Sequence, residues 1–203
     1  MTLKIGLTQN IKKYYKNFID FSDHYWLSAF SKRKIEFLLI PNNKILSESF
    51  LKKINLLILA GGNDVISKNK ESKIRNSVEV NLIKKSIKMK IPILGVCRGA
   101  QLLNVIFGGK ISKIKNHMNT RHKIFFEDKK ILKFKNLSVN SYHNYGILKK
   151  NLSKSFIPFA KDKNENIEMF YCKDKKIIGS MWHPEREKNL VFLFKLINLV
   201  RKI

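Results

Sequence analysis

The chain has 203 residues, of which 44% are hydrophobic and 11% aromatic. This composition is typical of globular proteins and excludes a largely disordered chain, and the length predicts a single domain over residues 1–203. The formal net charge is +26, from 41 Lys and Arg against 15 Asp and Glu, so a charged partner is expected to be anionic.

The positive charge alone does not indicate a nucleic-acid-binding surface. Only six of the basic residues are Arg, whose planar guanidinium suits bases and phosphates best, and the lysines are scattered along the chain. A compositional bias explains this pattern most simply, and an attraction for anionic small molecules is compatible with it. A non-catalytic, basic nucleic-acid-binding protein remains one alternative, which predicts tight, salt-sensitive binding.

Neither the first residues nor any internal segment indicates export or membrane insertion. The opening "MTLKIGLTQN" lacks the long apolar core of a signal peptide, and no run approaches the roughly 18 apolar residues of a membrane span. The two cysteines, Cys97 and Cys172, indicate reduced thiols rather than a disulfide. We therefore expect a cytoplasmic protein with no membrane partner.

Short apolar strands alternate with longer amphipathic segments in the first half of the chain. The segment 71–90 carries apolar residues on one helical face and separates two of the predicted strands. Strand, helix, strand in this order predicts parallel pairing with helices on both faces of the sheet. The expected fold is therefore α/β, a three-layer, flavodoxin-like arrangement around a mostly parallel sheet. The strands are predicted at 3–8, 35–40, 55–62 and 91–96.

The second half is predicted to add an antiparallel portion to this sheet. The last two of its four strand-like runs are joined by the polar segment "KDK", which suits a hairpin. The closing segment places Leu193, Leu196, Ile197 and Val200 on one stripe, which predicts a helix docked on the core rather than on a membrane. The strand-like runs are 136–142, 156–161, 167–172 and 176–182.

Cys97 follows a predicted strand, at the edge where open α/β sheets gather their functional groups. The segment "GVCRG" (95–99) has the spacing of a nucleophile elbow, a tight turn from strand to helix that exposes its central side chain. The first amides and the dipole of the helix predicted at 99–107 favour a thiolate at this point. Alternatively, Cys97 is a small buried core residue, so its partners decide between the two interpretations.

The segment "SMWHPERE" offers a base and an orienting group for a thiol nucleophile. His183 and Glu185 are two residues apart at the end of a predicted strand, and Pro184 biases His183 towards an extended backbone. In an extended chain the two side chains project to the same side, so Glu185 can orient the imidazole towards Cys97. The His-x-Glu spacing alone is a weak indication of a catalytic base and its orienting group. In combination with the nucleophile elbow, the indication becomes strong.

Two backbone amides complete the predicted site as an oxyanion hole. The segment "LILAGGND" (57–64) ends a strand in a glycine pair, so Gly62 can bring its bare amide close to a bound carbonyl. The amide of Arg98, directly after the nucleophile, is the second donor. A Gly-Gly-Asn-Asp segment is also typical of an ordinary turn, so this prediction depends on the neighbouring motifs.

These motifs, in this order and at these distances, resemble the class I glutamine amidotransferase superfamily over nearly the whole chain. "GVCRGAQLLNVIFGG", with "AGGND" upstream and "VNSYHNYGI" (139–147) downstream, is most similar to its γ-glutamyl-γ-aminobutyrate hydrolase branch. Asn10 and Asn76 stand where that branch usually has Arg and Asp. These departures leave the Cys-His-Glu triad untouched and leave the outer substrate contacts open.

The resemblance implies a covalent mechanism for a γ-glutamyl amide. Cys97 would attack the side-chain amide carbon, His183 would protonate the leaving nitrogen and then activate water, and Glu185 would support the imidazolium. We expect no cofactor, and no Cys/His spacing indicates a metal site. His117 and His122 are left without a role, and Cys172 is interpreted as structural.

Other residues match family positions that contact the γ-glutamyl group. Gln101, one helical turn beyond Cys97, would hold the glutamyl head unless it is simply a solvated helix residue. Ser141, Tyr142 and His143 match a loop that contacts the α-carboxylate and amine, although His143 can also be a plain loop histidine. The weaker candidates are Asn63, Asp64 and Glu79.

The leading hypothesis is a free-standing thiol hydrolase that releases L-glutamate from a small γ-glutamyl amide. Its candidate substrates are γ-glutamyl-GABA and a γ-glutamyl nucleotide phosphoramidate of capsule biosynthesis, and the second suits the positive charge. The alternative enzyme is a glutaminase subunit that delivers ammonia to a separate synthetase.

Overall fold

A computed structural model describes residues 2–127 and 135–203, and within them the main feature is an eleven-stranded sheet. A separate two-stranded hairpin and two layers of helices surround it. The strands are β1 (Lys4–Thr8), β2 (Asn10–Tyr14), β3 (Asn17–Phe21), β4 (Glu36–Ile40), β5 (Leu56–Leu59), β6 (Ile93–Val96), β7 (Ser112–Lys113), β8 (Thr120–Phe126), β9 (Asn136–Ser141), β10 (Tyr145–Leu148), β11 (Ile157–Asp162), β12 (Asn166–Cys172) and β13 (Ile177–Ser180). The helices are α1 (His24–Lys32), α2 (Lys44–Leu51), α3 (Lys70–Lys88), α4 (Arg98–Ile106) and α5 (Val191–Lys202).

Five strands, in the order β4, β1, β5, β6 and β13, form the parallel half of the sheet. Every residue of β5 and β6 is buried. Strands covered by helices on both faces are expected to be continuous apolar runs of this kind. The α/β architecture predicted from alternating strands and helices is confirmed.

Two helical layers cover the sheet, as predicted. α1 and α5 pack on one face, and α2, α3 and α4 pack on the other. Leu193, Leu196, Ile197 and Val200 of α5 are buried in the first of these cores, so the predicted docking of this helix is confirmed. In the described ranges, no helix is long and apolar enough to cross a membrane.

The antiparallel half continues from β13 through β12, β11 and β8 to β9. The predicted hairpin joins β12 to β13 around 173–175. Two features were not predicted from the sequence: the β2–β3 hairpin and the strands between 112 and 148 that precede or follow β9. Ile11 of the hairpin bonds to Asn63, and Met118 and Asn144 in the second segment line the candidate cavity.

The register of the parallel strands brings three loops to one edge. Leu59 of β5 pairs with Gly95 of β6, and Ser180 of β13 pairs with Val96. The loops that leave these strands therefore begin side by side at the carboxyl edge of the sheet, where α/β proteins place their sites. They carry, in chain order, the glycine pair 61–62, Cys97 and His183.

Candidate active site

Cys97 occupies a strained turn between β6 and α4. Its φ of 50° and ψ of −105° fall outside the regions that ordinary residues prefer. Its amide donates to the Ser180 carbonyl at 2.7 Å, which fixes the turn against β13. A side chain at Gly99 would overlap the Leu59 carbonyl oxygen, so the close approach of α4 to β5 requires glycine there. The observed geometry is that of the predicted elbow.

His183 and Glu185 are buried and directly paired. Nδ1 of His183 lies 2.7 Å from Oε1 of Glu185, which leaves Nε2 for other partners. The local backbone differs from the prediction, because Pro184–Arg186 form a 3₁₀ turn instead of continuing the strand. Proline suits the first position of such a turn, and the tight turn carries Glu185 back to the imidazole.

The position of His183 is fixed by the antiparallel half of the sheet. The amide of His183 donates to Oδ1 of Asn140 at 2.9 Å, and Nδ2 of Asn140 donates to the His183 carbonyl at 2.7 Å. Asn140 lies on β9 and is itself buried. This reciprocal pair was not predicted, because an Asn within a strand gives no local signal of a partner 43 residues away.

The surroundings of His183 favour the imidazolium. Burial lowers the pKa of His183, but the Glu185 charge and the charge and hydrogen bond of Cys97 outweigh it and raise the pKa to about 10. Cys97, His183 and Glu185 therefore form one coupled, buried array. Such an array can shuttle a proton between a sulfur and a leaving group.

The loop after β5 packs directly on this array. A side chain on Gly61 would place its Cβ 2.5 Å from Cε1 of His183, and Gly62 has a φ of 110°, which favours glycine. A side chain at Gly62 would also overlap Asn10. The glycine pair thus lets the backbone approach the cysteine and histidine, as an oxyanion donor must.

A buried network of ion pairs between side chains supports this loop. Oε1 of Glu79 accepts from Nε of Arg75 at 3.0 Å and from the Thr8 hydroxyl at 2.7 Å, while Oε2 accepts from Arg98. Burial raises the pKa of the Glu79 carboxyl, but the two guanidinium groups outweigh it, so the pKa is lowered. Glu79, a weaker candidate for substrate contact, instead joins α3 to the elbow.

Arg75 connects that network to the glycine loop. Its guanidinium donates to the Ala60 carbonyl at 2.8 Å and to the Gly61 carbonyl at 3.1 Å. It also donates to the side chains of Asn10 and Asn63. Burial and the nearby Arg98 charge lower the pKa of Arg75 to about 10. Arg75 was not among the predicted site residues, since a basic residue in a Lys-rich helix gives no distinguishing signal.

The two departures from the family pattern have structural partners here. Asn10 accepts from Arg75 and from the Asn63 amide, and Asn76 accepts from Arg98 at 2.6 Å. Asn63 accepts from the Ile11 amide at 3.2 Å and donates to the Ile11 carbonyl at 2.8 Å. These side chains hold the β2–β3 hairpin, the glycine loop and the elbow together.

A small cavity of about 180 Å³ opens above the elbow. It contains Cys97, Gly62 and the predicted contact residues Asn63, Gln101 and Tyr142. Nε2 of Gln101 donates to the Tyr145 carbonyl at 2.8 Å, and the residue is buried, so it is not a solvated helix residue. Tyr142 lies edge-on to His183, with ring centroids 5.8 Å apart. The remaining lining residues are Asp64, Arg98, Met118, His143, Asn144 and Tyr145.

The structure does not bring Ser141 and the nitrogens of His143 to this cavity. Ser141 is fully buried, and its hydroxyl donates to the His117 carbonyl at 2.7 Å. Nδ1 of His143 lies 3.0 Å from the Tyr145 carbonyl, and its Nε2 is buried. Ser141 therefore does not line the cavity, whereas His143 lines it with Nδ1 facing the Tyr145 carbonyl.

The fold and the cysteine elbow define a class I glutamine amidotransferase-like protein. The chain belongs to the Peptidase C26 family, whose model matches residues 5–185. It is 39% identical over 139 residues to a γ-glutamyl-CDP-amidate hydrolase of Campylobacter jejuni, over 68% of this chain and 65% of that protein. The match thus spans just under two thirds of that relative.

Two further comparisons agree with this family. The chain is 27% identical over 150 residues to one component of the glutamine-hydrolysing GMP synthase of Methanocaldococcus jannaschii, over 72% of this chain and 73% of that component. A glutamine amidotransferase structure from Thermotoga maritima superimposes with a TM-score of 0.72, at 18% identity, over 91% of this chain and 77% of that one. At that identity the structural match shows the shared fold alone.

Proposed function

We propose that the chain hydrolyses a γ-glutamyl amide through a covalent thioester on Cys97. The observation that carries this proposal is the buried Cys97–His183–Glu185 array at the carboxyl edge of the sheet, beside the glycine loop and a small cavity. A nucleophile coupled to a base, and a base coupled to an orienting carboxylate, is the arrangement that acyl transfer requires.

In the first half of the reaction, the Cys97 sulfur attacks the γ-carbonyl carbon. The carbonyl oxygen becomes an oxyanion that accepts from the amides of Arg98 and the Gly62 loop, and donors of this kind contribute about 10²–10³ in rate. The tetrahedral intermediate collapses, the C–N bond breaks, and His183 gives its proton to the leaving nitrogen. The amine departs and the glutamyl group remains on the sulfur as a thioester.

In the second half of the reaction, His183 acts as a general base instead of a general acid. It takes a proton from water, the resulting hydroxide attacks the thioester carbon, and the C–S bond breaks to release L-glutamate. The proton returns to the cysteine–histidine pair, so the enzyme is regenerated. Glu185 holds the imidazole in one orientation throughout, through its 2.7 Å contact with Nδ1.

A γ-glutamyl nucleotide amidate is the substrate we favour. The Campylobacter relative is named for such a compound, and the basic β2–β3 hairpin lies next to the glycine loop. Lys12, Lys13 and Lys16 of this hairpin are exposed, and Ile11 at its base is bonded to Asn63 in the cavity wall. Exposed lysines beside a cavity attract the phosphates of a leaving group without requiring base recognition.

The decisive experiment measures glutamate release from glutamine, γ-glutamyl-GABA and γ-glutamyl-CDP-amidate. Wild type is expected to favour the nucleotide amidate, and Cys97→Ala is expected to abolish release. Cys172→Ser is the matched control, because Cys172 is also a free, buried cysteine but lies on β12 away from the cavity. Equal turnover by the Cys97 variant would contradict the proposed mechanism.

The same assay separates the competing substrates. Exclusive turnover of γ-glutamyl-GABA would overturn the nucleotide proposal while leaving the thiol mechanism standing. Glutamine turnover that appears only with a synthetase partner would instead favour an ammonia-delivering role, an outcome compatible with the similarity to a GMP synthase component.

A further inference from the structure

A second cluster of titratable side chains lies under the cavity wall. It consists of His117, His122 on β8 and Glu168 on β12, with Asp162 of β11 at its edge. His117 and Glu168 are almost fully buried, and His122 is 17% exposed. The proposed hydrolysis uses none of these residues. Because they come from a loop and separate strands, their spacing along the chain does not indicate a common site.

Within residues 2–127 and 135–203, most polar side-chain atoms of this cluster have no hydrogen-bond partner. Nδ1 of His117 lies 2.8 Å from the Lys115 carbonyl and must carry a hydrogen, so Nε2 is an acceptor whenever the imidazole is neutral. Nε2 nevertheless faces two carboxylate oxygens, Oδ2 of Asp162 at 3.1 Å and Oε1 of Glu168 at 3.4 Å. Both nitrogens of His122 and both oxygens of Glu168 lack a hydrogen-bond partner in the part of the chain that the structure describes. Buried acceptors that face one another are costly unless a cation lies between them.

The spacing of these atoms matches a metal coordination shell. Nε2 of His117 and Nε2 of His122 lie 3.4 Å and 3.5 Å from Oε1 of Glu168, and all three ligand atoms fall within 4.8 Å of one another. A tetrahedral zinc ion with bonds of about 2.0–2.2 Å separates its ligand atoms by about 3.3–3.6 Å. The bond from His117 Nδ1 to a carbonyl is also how metal-binding histidines are usually oriented.

We propose that His117, His122 and Glu168 bind a divalent transition-metal ion, for which zinc is the best fit. Two imidazoles and one carboxylate suit zinc and its first-row neighbours, whereas magnesium and calcium prefer oxygen ligands throughout. The fourth position is left to water. Asp162 accepts from Asn164 and Asn166, and its Oδ2 lies 3.1 Å from Nε2 of His117, so it lies beside the three proposed ligands.

The position of the cluster gives the ion a structural role in the candidate active site. The His117 carbonyl accepts from the Ser141 hydroxyl at 2.7 Å and from the His143 amide at 2.9 Å. Met118 and Tyr142, the neighbours of His117 and His143, line the cavity above Cys97. An ion bound to His117 would therefore lock together the two segments that form one cavity wall.

The test is the metal content of the full-length protein. Purified chain loaded with Zn²⁺ and passed over a desalting column should retain about one zinc by elemental analysis. His122→Ala and Glu168→Gln should retain less than about a tenth of that amount, because each removes a ligand. His24→Ala is the matched control: His24 is exposed on α1, and its loss should leave the zinc content unchanged.

Two further readouts separate a bound ion from a purely structural cluster. Co²⁺ in place of Zn²⁺ should give visible absorption typical of tetrahedral coordination in wild type and His24→Ala, and none in His122→Ala. Removing the ion with a chelator should lower the melting temperature of wild type by about 5–10 °C, and should not change that of His122→Ala. Circular dichroism shows whether each variant is folded, and partly exposed His122 is the safer position to change.

The proposal is overturned if wild type retains no stoichiometric metal, or if the two ligand variants retain as much as wild type. A chelator-insensitive melting temperature would also contradict it and would point to a protonated His117 between Asp162 and Glu168. Retained zinc in a Cys97→Ala protein keeps this test independent of the proposed hydrolysis. Failure of one proposal is therefore distinguishable from failure of the other.

Discussion

At the scale of single residues, the candidate site depends on the charge state of His183. The pKa of this imidazole is raised from about 6.5 to about 10, because Glu185 and Cys97 stabilise the imidazolium more than burial destabilises it. The stabilising contribution of the protonated form is complete below about pH 6.5 and is lost as the pH rises through about 10. At neutral pH His183 is therefore protonated, as the proposed transfer to the leaving nitrogen requires.

Replacing Glu185 by Gln should lower the pKa of His183 towards neutral pH. The change keeps the size of the side chain but removes the negative charge that raises the pKa of His183, so the basic limb of kcat/KM should shift to lower pH. We also expect the rate at pH 7 to fall by roughly 10²–10⁴-fold, as for the loss of an orienting carboxylate. The measurement is kcat/KM from pH 6 to 10.5 with the best γ-glutamyl substrate. A profile that superimposes on wild type would show that Glu185 does not act on His183.

At the scale of secondary-structure elements, the site is held by contacts between α3, α4 and the loop after β5. Glu79 on α3 pairs with Arg75 on the same helix and with Arg98 at the start of α4, and all three side chains are buried. Arg75 in turn binds the carbonyls of Ala60 and Gly61. One carboxylate thus balances the two guanidinium groups that hold the glycine loop and the elbow in place.

Glu79→Gln should destabilise the fold strongly. Removing one partner of a buried ion pair leaves uncompensated charge in the interior, which typically costs about 3–5 kcal/mol. The free energy of unfolding should fall by that amount in urea denaturation, with little change in slope. Glu48→Gln is the control, because Glu48 pairs with Lys85 nearer the surface and its loss should cost far less. Similar losses in both variants would show that the buried network has no special role.

At the scale of the whole molecule, the sequence predicted the parts of the site that are local in the chain. The apolar runs predicted the parallel sheet, and the glycines around Cys97 predicted the elbow, because both are local consequences of chain geometry. It did not predict the contacts of Asn140 or Arg75, whose partners are distant in sequence. β8 was missed although burial alternates along it, because Arg121 and Lys123 occupy its exposed face.

The net charge of +26 is a property of the whole molecule. Whether this charge steers an anionic substrate can be tested directly. If the charge steers an anionic substrate towards the cavity, kcat/KM for γ-glutamyl-CDP-amidate should fall about tenfold or more between about 0.02 and 0.5 M salt, where the Debye length drops from roughly 20 Å to about 4 Å. Glutamine has no net charge, so its turnover should change little. A flat response with the nucleotide amidate would indicate that the lysines reflect composition only.

Two lysine pairs distinguish a general field from a local phosphate contact. Lys12 and Lys13 lie on the hairpin beside the glycine loop, whereas Lys52 and Lys53 are equally exposed but precede β5 at the opposite edge of the sheet. Changing either pair to Gln removes the same charge from the total. A general field predicts similar losses of kcat/KM in both variants, while local binding predicts a raised KM for the nucleotide amidate only when Lys12 and Lys13 are changed. We expect the local result, because salt screens charges beyond about 8 Å at physiological ionic strength.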